Sequence, residues 1–348
     1  MTPDQAVALS LIPELPRLDL GSRLKADDPE LLDGAAGLVD RTRIVLKHAA
    51  SRNIHALPWN DPEFPSTLLA IPDFPPALWY RGTREALNAP AVAIVGSRAA
   101  SAVALEIAER LADDLASAGI AVVSGLARGV DSAAHRGALR SGRTIAVLGS
   151  GVDHIYPREH TSLAGEIAVS GLVVSEYSPG TPPWPFHFPQ RNRLISGLSR
   201  AVVVIEASER SGSLITAAWA LAQGRDVMAV PGNVLSGRNR GGHALIRDGA
   251  KIVESADDIV EELGLTGLRC PASEGEGPAA PNGDRTASKA ATCTDALLRA
   301  MEAGHVYDLD GLADVSGLDG ARLLPRLLEL ELHGRVRRVG GGRFMRCS

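Results

Sequence analysis

The feature that most constrains the fold is a regular alternation, from Ala91 onward, of short β-branched runs with helical stretches. The runs are AVAIVG, IAVVSG, TIAVLG, LVVSEY, AVVVI, VMAVPG and KIV. Runs that are apolar throughout are typical of strands buried on both faces. Strands separated by helices predict an α/β fold with a doubly wound, mostly parallel sheet, whose ligands gather at the carboxyl ends of the strands.

The turns that follow these strands have the chemistry of phosphate-binding loops. Gly96, Ser97 and Arg98 follow the first run, Arg128 lies in the glycine-rich SGLARG turn, and the segment 211–213 precedes the helical run LITAAWALA. Amides at the start of a helix have no intrahelical partner and favour anions, and arginine can hold a phosphate with two parallel hydrogen bonds. The sequence therefore predicts several phosphate-binding turns along one edge of the sheet.

A basic, aromatic segment lies between two of these strands. No acidic residue occurs between Pro182 and Ile205, and none between Asp226 and Asp248. Guanidinium groups beside aromatic rings can hold a phosphate backbone and stack on unpaired bases. A phosphate backbone explains so many separate cationic turns better than one nucleotide does, although helix caps and solvated surface arginines stay open as the alternative. The predicted nucleic-acid-binding residues are Gly96, Ser97, Arg98, Arg128, Phe188, Arg191, Asn192, Arg193, Ser211, Gly212, Ser213, Arg238 and Arg240.

Catalytic, cofactor and metal sites are not predicted. The first turn lacks GxGxxG spacing, and no acidic ribose-binding residue ends the second strand, which disfavours a dinucleotide cofactor. No triad or metal-ligand spacing links His135, His243, Glu176 and Glu206. We therefore expect no catalytic residue, no cofactor and no metal.

The compartment follows from cysteine usage and hydropathy. The three cysteines, Cys270, Cys293 and Cys347, are far apart and lack disulfide or zinc spacing. No signal-like N-terminus occurs, and no apolar run approaches the ~20 residues that a membrane helix needs. We expect a cytoplasmic protein that does not bind a membrane.

Domain organisation follows from length and composition changes. The length of 348 residues predicts two or three domains. The net charge of −5 predicts that any nucleic-acid site is a local basic patch. We predict a small helical domain at 1–57, a sheet domain at 58–266, a flexible linker at 267–291 and a winged-helix domain at 292–348. Within the sheet domain, the proline-rich segment 58–90 is expected to be an extended connection that packs Trp79 and Tyr80.

The last domain is predicted from three helical stretches followed by the basic hairpin RVRRVGGGRFMR. Pro325 lies inside the third helical stretch and weakens the case for a helix that enters a major groove. Contact of this domain with DNA and contact with protein both stay open.

The sequence resembles the bacterial DNA-processing protein A family (DprA, also called Smf). The resemblance is carried by VAIVGSRAAS, SGLARGVDSAAH, TIAVLGSGVDHIYP, FPQRNRLISGLS, VVVIEASERSGSLITAAWALAQGRDVMAVPG and LIRDGA, and it spans most of the chain. It implies an extended Rossmann-like domain, a helical domain similar to SAM or helix-hairpin-helix modules, and a C-terminal winged helix. It also implies a non-enzymatic protein that binds single-stranded DNA, forms homodimers through the Rossmann-like domain and helps load the RecA recombinase during natural transformation.

Position by position, the resemblance assigns DNA binding to the Gly96-Ser97-Arg98 turn, to Phe188 with residues 191–193, and to the 211–213 turn. The chain departs from the family at Val103-Ala104, where a Tyr-Gly pair is usual, and at residues 158–160, where an asparagine is common. A family contact at the second position cannot be transferred to this chain.

Two other functions remain open. Nucleotide-cleaving phosphoribohydrolases have a similar sheet but carry a Pro-Gly-Gly turn, a Gly-Thr pair and a catalytic glutamate, where this chain has PGN and SGS. A protein-binding adaptor that keeps its phosphate turns as relics is the other alternative.

Overall fold

The computed structural model describes residues 1–12, 15 and 19–265, and within the C-terminal part residues 297–298, 301, 305–316, 323, 326–327, 330–331, 335–339 and 343–346. The chain forms two compact units, Met1–Ser273 and Glu274–Ser348. The predicted linker at 267–291 and the position of Pro325 lie outside the described residues.

A nine-stranded sheet organises the first unit, in the order β1-β2-β6-β5-β4-β3-β7-β8-β9. The strands from β6 to β9 in this order are parallel, while β1 and β2 are antiparallel to their neighbours. This mostly parallel, doubly wound sheet confirms the predicted fold class. The strands are β1 His55–Pro58, β2 Ala77–Gly82, β3 Ala91–Gly96, β4 Ala121–Ser124, β5 Thr144–Val147, β6 Leu172–Ser175, β7 Ala201–Ile205, β8 Asp226–Ala229 and β9 Lys251–Ile252.

Helices cover both faces of the sheet, which is why the central strands are apolar along their whole length. In β3, Val92 and Ile94 pack on the face covered by α6, α7 and α12, whereas Ala93 and Val95 pack on the face covered by α9 and α10. None of the described helices combines the length and the hydropathy of a membrane span. The helices are α1 Pro3–Leu9, α2 Leu20–Lys25, α3 Pro29–Ala36, α4 Val39–Ala50, α5 Ser66–Leu69, α6 Ala102–Ser117, α7 Val130–Ser141, α8 Thr161–Ser170, α9 His187–Gly197, α10 Ser213–Ala222, α11 Arg240–Arg247 and α12 Ala256–Glu262.

The strand order creates one switch point, between β3 and β7. From β3 the chain winds outward through β4, β5 and β6, and then β7 pairs with the other side of β3 before β8 and β9 follow. The connections after β3 and β7 therefore leave in opposite directions, which opens a crevice at the carboxyl ends of these two strands.

The proline-rich segment 58–90 is more regular than predicted. Its residues 77–82 form β2, which pairs with β1 on one side and β6 on the other, so the expectation of an extended connection without a strand is wrong. The prolines are compatible with the sheet because they lie outside the interior of its strands: Pro58 ends the edge strand β1, Pro90 directly precedes β3, and the others lie between β1 and β2. Trp79 is fully buried, as the sequence predicts, and its Nε1 donates to Ser10 Oγ at 3.0 Å.

The N-terminal helices share the core of the sheet. Leu9 of α1 and Leu20 of α2 belong to the same buried cluster as Val95 of β3 and Leu194 of α9. The domain boundary at residue 57 stays a prediction.

The second unit contains a three-stranded antiparallel sheet in the order β10-β12-β11, with the helix α13, Leu309–Ser316. The basic hairpin predicted from the sequence is formed by β11 and β12, and Phe344 of β12 is buried with Leu312 and Leu327. The strands are β10 Val306–Tyr307, β11 Val336–Val339 and β12 Arg343–Arg346.

His135, a weak catalytic candidate in the sequence, is a buried structural residue of α7. Its Nδ1 lies 2.7 Å from Thr144 Oγ1, whose hydroxyl donates to the carbonyl oxygen of Val122 at 2.7 Å. Because the hydroxyl proton is committed to Val122, Nδ1 donates to Thr144 and Nε2 has no proton. Nε2 is buried and has no hydrogen-bond partner among the residues that the structure describes.

We expect His135 to make the first unit sensitive to acid. Burial lowers its pKa from 6.5 to about 3, and nearby cationic side chains add to the effect. Below pH 6.5 the unfolded chain binds a proton that the folded chain does not, so stability falls as the pH is lowered, by about 2 kcal/mol between pH 7 and 5. Urea unfolding at pH 7 and pH 5 measures this loss through tryptophan fluorescence, because all four tryptophans lie in the first unit.

His135→Gln is the comparison, since glutamine does not titrate. The variant should be less stable than the unaltered protein at pH 7. Its free energy of unfolding should, however, differ much less between pH 7 and pH 5, because most of the loss assigned to His135 would be absent. An equal pH dependence in both proteins would contradict the assignment.

Candidate anion-binding site

A pocket of about 380 Å³ lies at the switch point, beyond the carboxyl ends of β3 and β7. It is formed by the turn after β3, the turn after β4, the first half of α9 and the start of α10. Nine of the thirteen predicted binding residues line it: Gly96, Ser97, Arg98, Phe188, Arg191, Asn192, Ser211, Gly212 and Ser213.

The turn after β3 is fixed by close backbone contacts. A Cβ at Gly96 would lie 1.9 Å from the carbonyl oxygen of Ile205, so only glycine fits between β3 and β7. Glu206, buried and in the left-handed conformation (φ 48°), accepts a hydrogen bond from the Ser101 amide at 2.8 Å, which anchors the far end of the turn. Arg98 is thereby held at the mouth of the pocket, exposed and without a hydrogen bond or ion pair to any described residue.

Arg191 is the buried cation of the pocket, with 3% of its surface exposed. Its guanidinium lies directly over Gly125, where a Cβ would be 1.9 Å from Nη1. Nε and Nη1 are buried and have no hydrogen-bond partner among the described residues. Burial lowers the pKa of Arg191 to about 10, a decrease that Asp131 opposes and Arg98 reinforces. Buried donors without partners are costly, so this guanidinium is arranged for an acceptor from outside the chain.

Asp131 is the counter-charge. It stands in the first turn of α7, where its Oδ2 accepts from the amides of Gly125 and Ala127 at 3.1 and 3.3 Å. Burial raises the pKa of Asp131, while Arg191 lowers it. Among the described residues, Arg98, Arg191 and Asp131 are the charged side chains that line the pocket. Two guanidiniums against one carboxylate leave a net positive site that favours an anion.

The start of α10 supplies polar groups on the opposite wall. Ser211 and Ser213 place their hydroxyls 2.7 Å apart, and Asn192 Nδ2 donates to the carbonyl oxygen of Gly212 at 3.5 Å. Hydroxyl groups beside a helix N-terminus match the oxygens of a phosphate. The wall therefore complements the two arginines.

Arg193 does not reach this pocket. It is 1% exposed, with Nε 3.0 Å from Asp73 Oδ2 and Nη2 hydrogen-bonded to Glu176. The segment between Pro182 and Ile205 is predicted from its sequence to be a basic segment, but its residues 187–197 form α9. Positions two apart on a helix point about 200° apart, so Arg191 and Arg193 lie on different sides of α9. The burial of Arg193 in an ion-pair network corrects the expectation that it lines the phosphate-binding edge.

The three remaining predicted arginines lie outside the pocket lining. Arg128 makes a bidentate ion pair with Glu159, at 2.7 and 2.8 Å. Arg238 donates to the carbonyl oxygen of Ala99 at 2.7 Å and so supports the turn that carries Arg98. Arg240 is exposed at the first residue of α11. A DNA-binding role for these residues stays a prediction.

Sequence reasoning missed Asp131, a charged residue of the pocket lining. It lies in SGLARGVD, a stretch whose glycine-rich turn and Arg128 are singled out from the sequence. An acidic residue directly after a glycine-rich turn, in the first turn of a helix, is a signal that could have identified Asp131.

An open α/β sheet with a cationic pocket at its switch point places the chain in the doubly wound α/β class, whose ligands bind at this position. The chain belongs, more specifically, to the DNA recombination-mediator protein A family, whose model matches residues 55–264. A second model, the DprA winged helix domain, matches residues 278–342 and confirms the winged-helix class of the second unit.

Known proteins agree with this assignment. Protein Smf of Escherichia coli is 39% identical over 296 residues, which are 83% of this chain and 77% of that protein. The X-ray structure of DNA processing protein A from Streptococcus pneumoniae is similar with a TM-score of 0.65 and 38% identity, over 75% of this chain and 98% of that one. The structure of DNA processing protein A from Helicobacter pylori, described for its single-stranded DNA binding mode, is similar with a TM-score of 0.56 and 30% identity, over 62% of this chain and 97% of that one.

Proposed function

We propose that this protein binds single-stranded DNA in the switch-point pocket. The observation that carries the proposal is Arg191, a buried guanidinium that lines the same cavity as Arg98 and the 211–213 turn. Its Nε and Nη1 have no partner in the part of the chain that the structure describes. A phosphate would accept from Arg191 and Arg98 and from the polar wall opposite, and Phe188 offers an aromatic face to an unpaired base. The single-stranded DNA binding described for the Helicobacter pylori relative supports the same assignment.

Single strands should bind more tightly than duplexes, by about tenfold or more. Bases in a duplex are paired and stacked inside the helix, so they cannot reach Phe188, whereas unpaired bases can. Fluorescence anisotropy with a labelled oligothymidylate and with a blunt hairpin of equal charge measures the preference. If about three phosphates are held, the affinity for the single strand should fall roughly 20-fold between 50 and 200 mM salt. Equal affinity for the hairpin, or no dependence on salt, would overturn the proposal.

The family resemblance supports finer proposals about the cellular role. We place the protein in the cytoplasm, as a non-enzymatic homodimer that helps load RecA onto strands taken up during natural transformation. Ile252 in the edge strand β9 is a large apolar side chain that is exposed, as expected at an interface between copies. Sedimentation analysis tests the dimer, and RecA filament formation on strands coated with single-strand-binding protein tests the loading.

A phosphoribohydrolase-like activity is the second candidate, favoured by one observation. Asp131 is a pocket-lining carboxylate whose pKa is raised by burial, a property that catalytic acids share. However, its Oδ2 is engaged by two backbone amides, which gives it a role in holding the turn after β4. Release of free base from nucleoside monophosphates would favour the enzyme over the binding protein.

A further inference from the structure

Tyr156 is an exposed ring beside the pocket that the proposed function does not yet use. Half of its surface is exposed, and its ring centroid lies 5.4 Å from that of Phe188, with the planes inclined by 47°. Phe188 lines the pocket, but Tyr156 stands outside the lining. The two rings therefore form a continuous aromatic surface that extends from the pocket to the exterior of the protein.

Two other aromatic rings are comparably exposed, Trp184 and Phe186, and they belong to a different place. Both line a second cavity, together with residues of α1 and the segment after it. Phe186 contacts His187 rather than Phe188. In the part of the chain that the structure describes, Tyr156 is the exposed ring in contact with Phe188.

We propose that Tyr156 and Phe188 form a two-ring platform that stacks neighbouring bases of a single strand whose phosphate lies between Arg98 and Arg191. This inference rests on the proposed function and extends it by a second base. The ring separation of 5.4 Å exceeds the spacing of bases stacked along one strand, about 3.4 Å, so the platform fits a strand whose bases have separated. A duplex, whose bases stay stacked, cannot use it.

A cationic side chain, Arg128, lies beside Tyr156. The pKa of Arg128 is raised mainly by Glu159 and, to a smaller extent, by Tyr156, which places the two side chains close together. The next phosphate beyond the platform therefore approaches a guanidinium whose Nε–Nη2 edge is occupied by Glu159.

The test combines a ring deletion with base deletions in the ligand. Tyr156→Ala should weaken the binding of oligothymidylate about tenfold, whereas Tyr156→Phe should bind as the unaltered protein does, because stacking needs the ring and not the hydroxyl. A single abasic site is then moved along the oligonucleotide. At the position that stacks on Tyr156, the abasic site should weaken the unaltered protein about tenfold and leave Tyr156→Ala unaffected.

Trp184→Ala is the matched control, because Trp184 is 52% exposed and Tyr156 is 50% exposed. It should leave the affinity unchanged. Unchanged binding by Tyr156→Ala, or a larger loss in Trp184→Ala, would overturn the platform while leaving single-strand binding intact. Failure of the unaltered protein to bind oligothymidylate would overturn the proposed function, and the platform with it.

Discussion

Replacing Arg191 with glutamine is expected to lower the affinity for oligothymidylate about 100-fold, the largest loss from any single substitution in the pocket. A hydrogen bond to a charged group contributes about 1.5–3 kcal/mol, so the loss of one such bond from Arg191, whose Nε and Nη1 have no partner among the described residues, is enough for a change of about 100-fold. The guanidinium is buried, so water screens these interactions little. Anisotropy titrations at fixed low salt give the ratio of dissociation constants.

Two further variants separate loss of binding from loss of folding. Arg191→Lys keeps the positive charge but offers no planar fork, so it should recover only part of the affinity. Arg191→Gln leaves the buried Asp131 without its nearest opposing charge, and Arg191→Gln combined with Asp131→Asn removes that imbalance. If the double variant folds normally and still binds oligothymidylate as the unaltered protein does, Arg191 is not a phosphate ligand.

Replacing Arg193 with alanine is expected to lower the stability of the first unit by about 3–5 kcal/mol. The substitution removes the cation that the partly buried carboxylates of Asp73 and Glu176 share, and breaking a buried ion pair by removing one partner has a cost of this size. Urea unfolding followed by tryptophan fluorescence measures the change.

Arg200→Ala is the matched control, because Arg200 is exposed three residues after the end of α9 and should change stability by less than about 0.5 kcal/mol. Arg193→Met combined with Asp73→Asn and Glu176→Gln should recover much of the lost stability, since it removes the charges together. Equal stability of Arg193→Ala and Arg200→Ala would contradict the buried network. At temperatures where Arg193→Ala is folded, its affinity for oligothymidylate should be close to normal, the opposite of the Arg191 result.

The contrast between these two arginines shows where sequence reasoning stops. Both stand in FPQRNR, and their composition and lack of nearby acids make them equal candidates for a phosphate. Their difference depends on α9, which turns one side chain towards Gly125 and Asp131 and the other towards Asp73 and Glu176. These partners come from segments far apart along the chain, so no local pattern contains the information.

The strands β1 and β2 are missed for a related reason. Prolines dominate the local signal of residues 58–90 and indicate an irregular connection. The strand at 77–82 forms because its backbone completes the sheet beside β6, and because Trp79 is buried against α1 and its neighbours. Tertiary packing here outweighs local preference.

The sequence by itself determined the doubly wound sheet, the turns after β3 and before α10, and the basic hairpin of the second unit. Each of these follows from a periodic or short-range pattern, because strand burial, helix starts and tight turns depend on neighbouring residues. Only the tertiary structure decided that Arg98, Arg191 and the 211–213 turn meet at one switch point, that Asp131 balances them, and that Arg193 is a structural cation. Those facts depend on which distant segments the strand order brings together and on the side of α9 that each residue occupies.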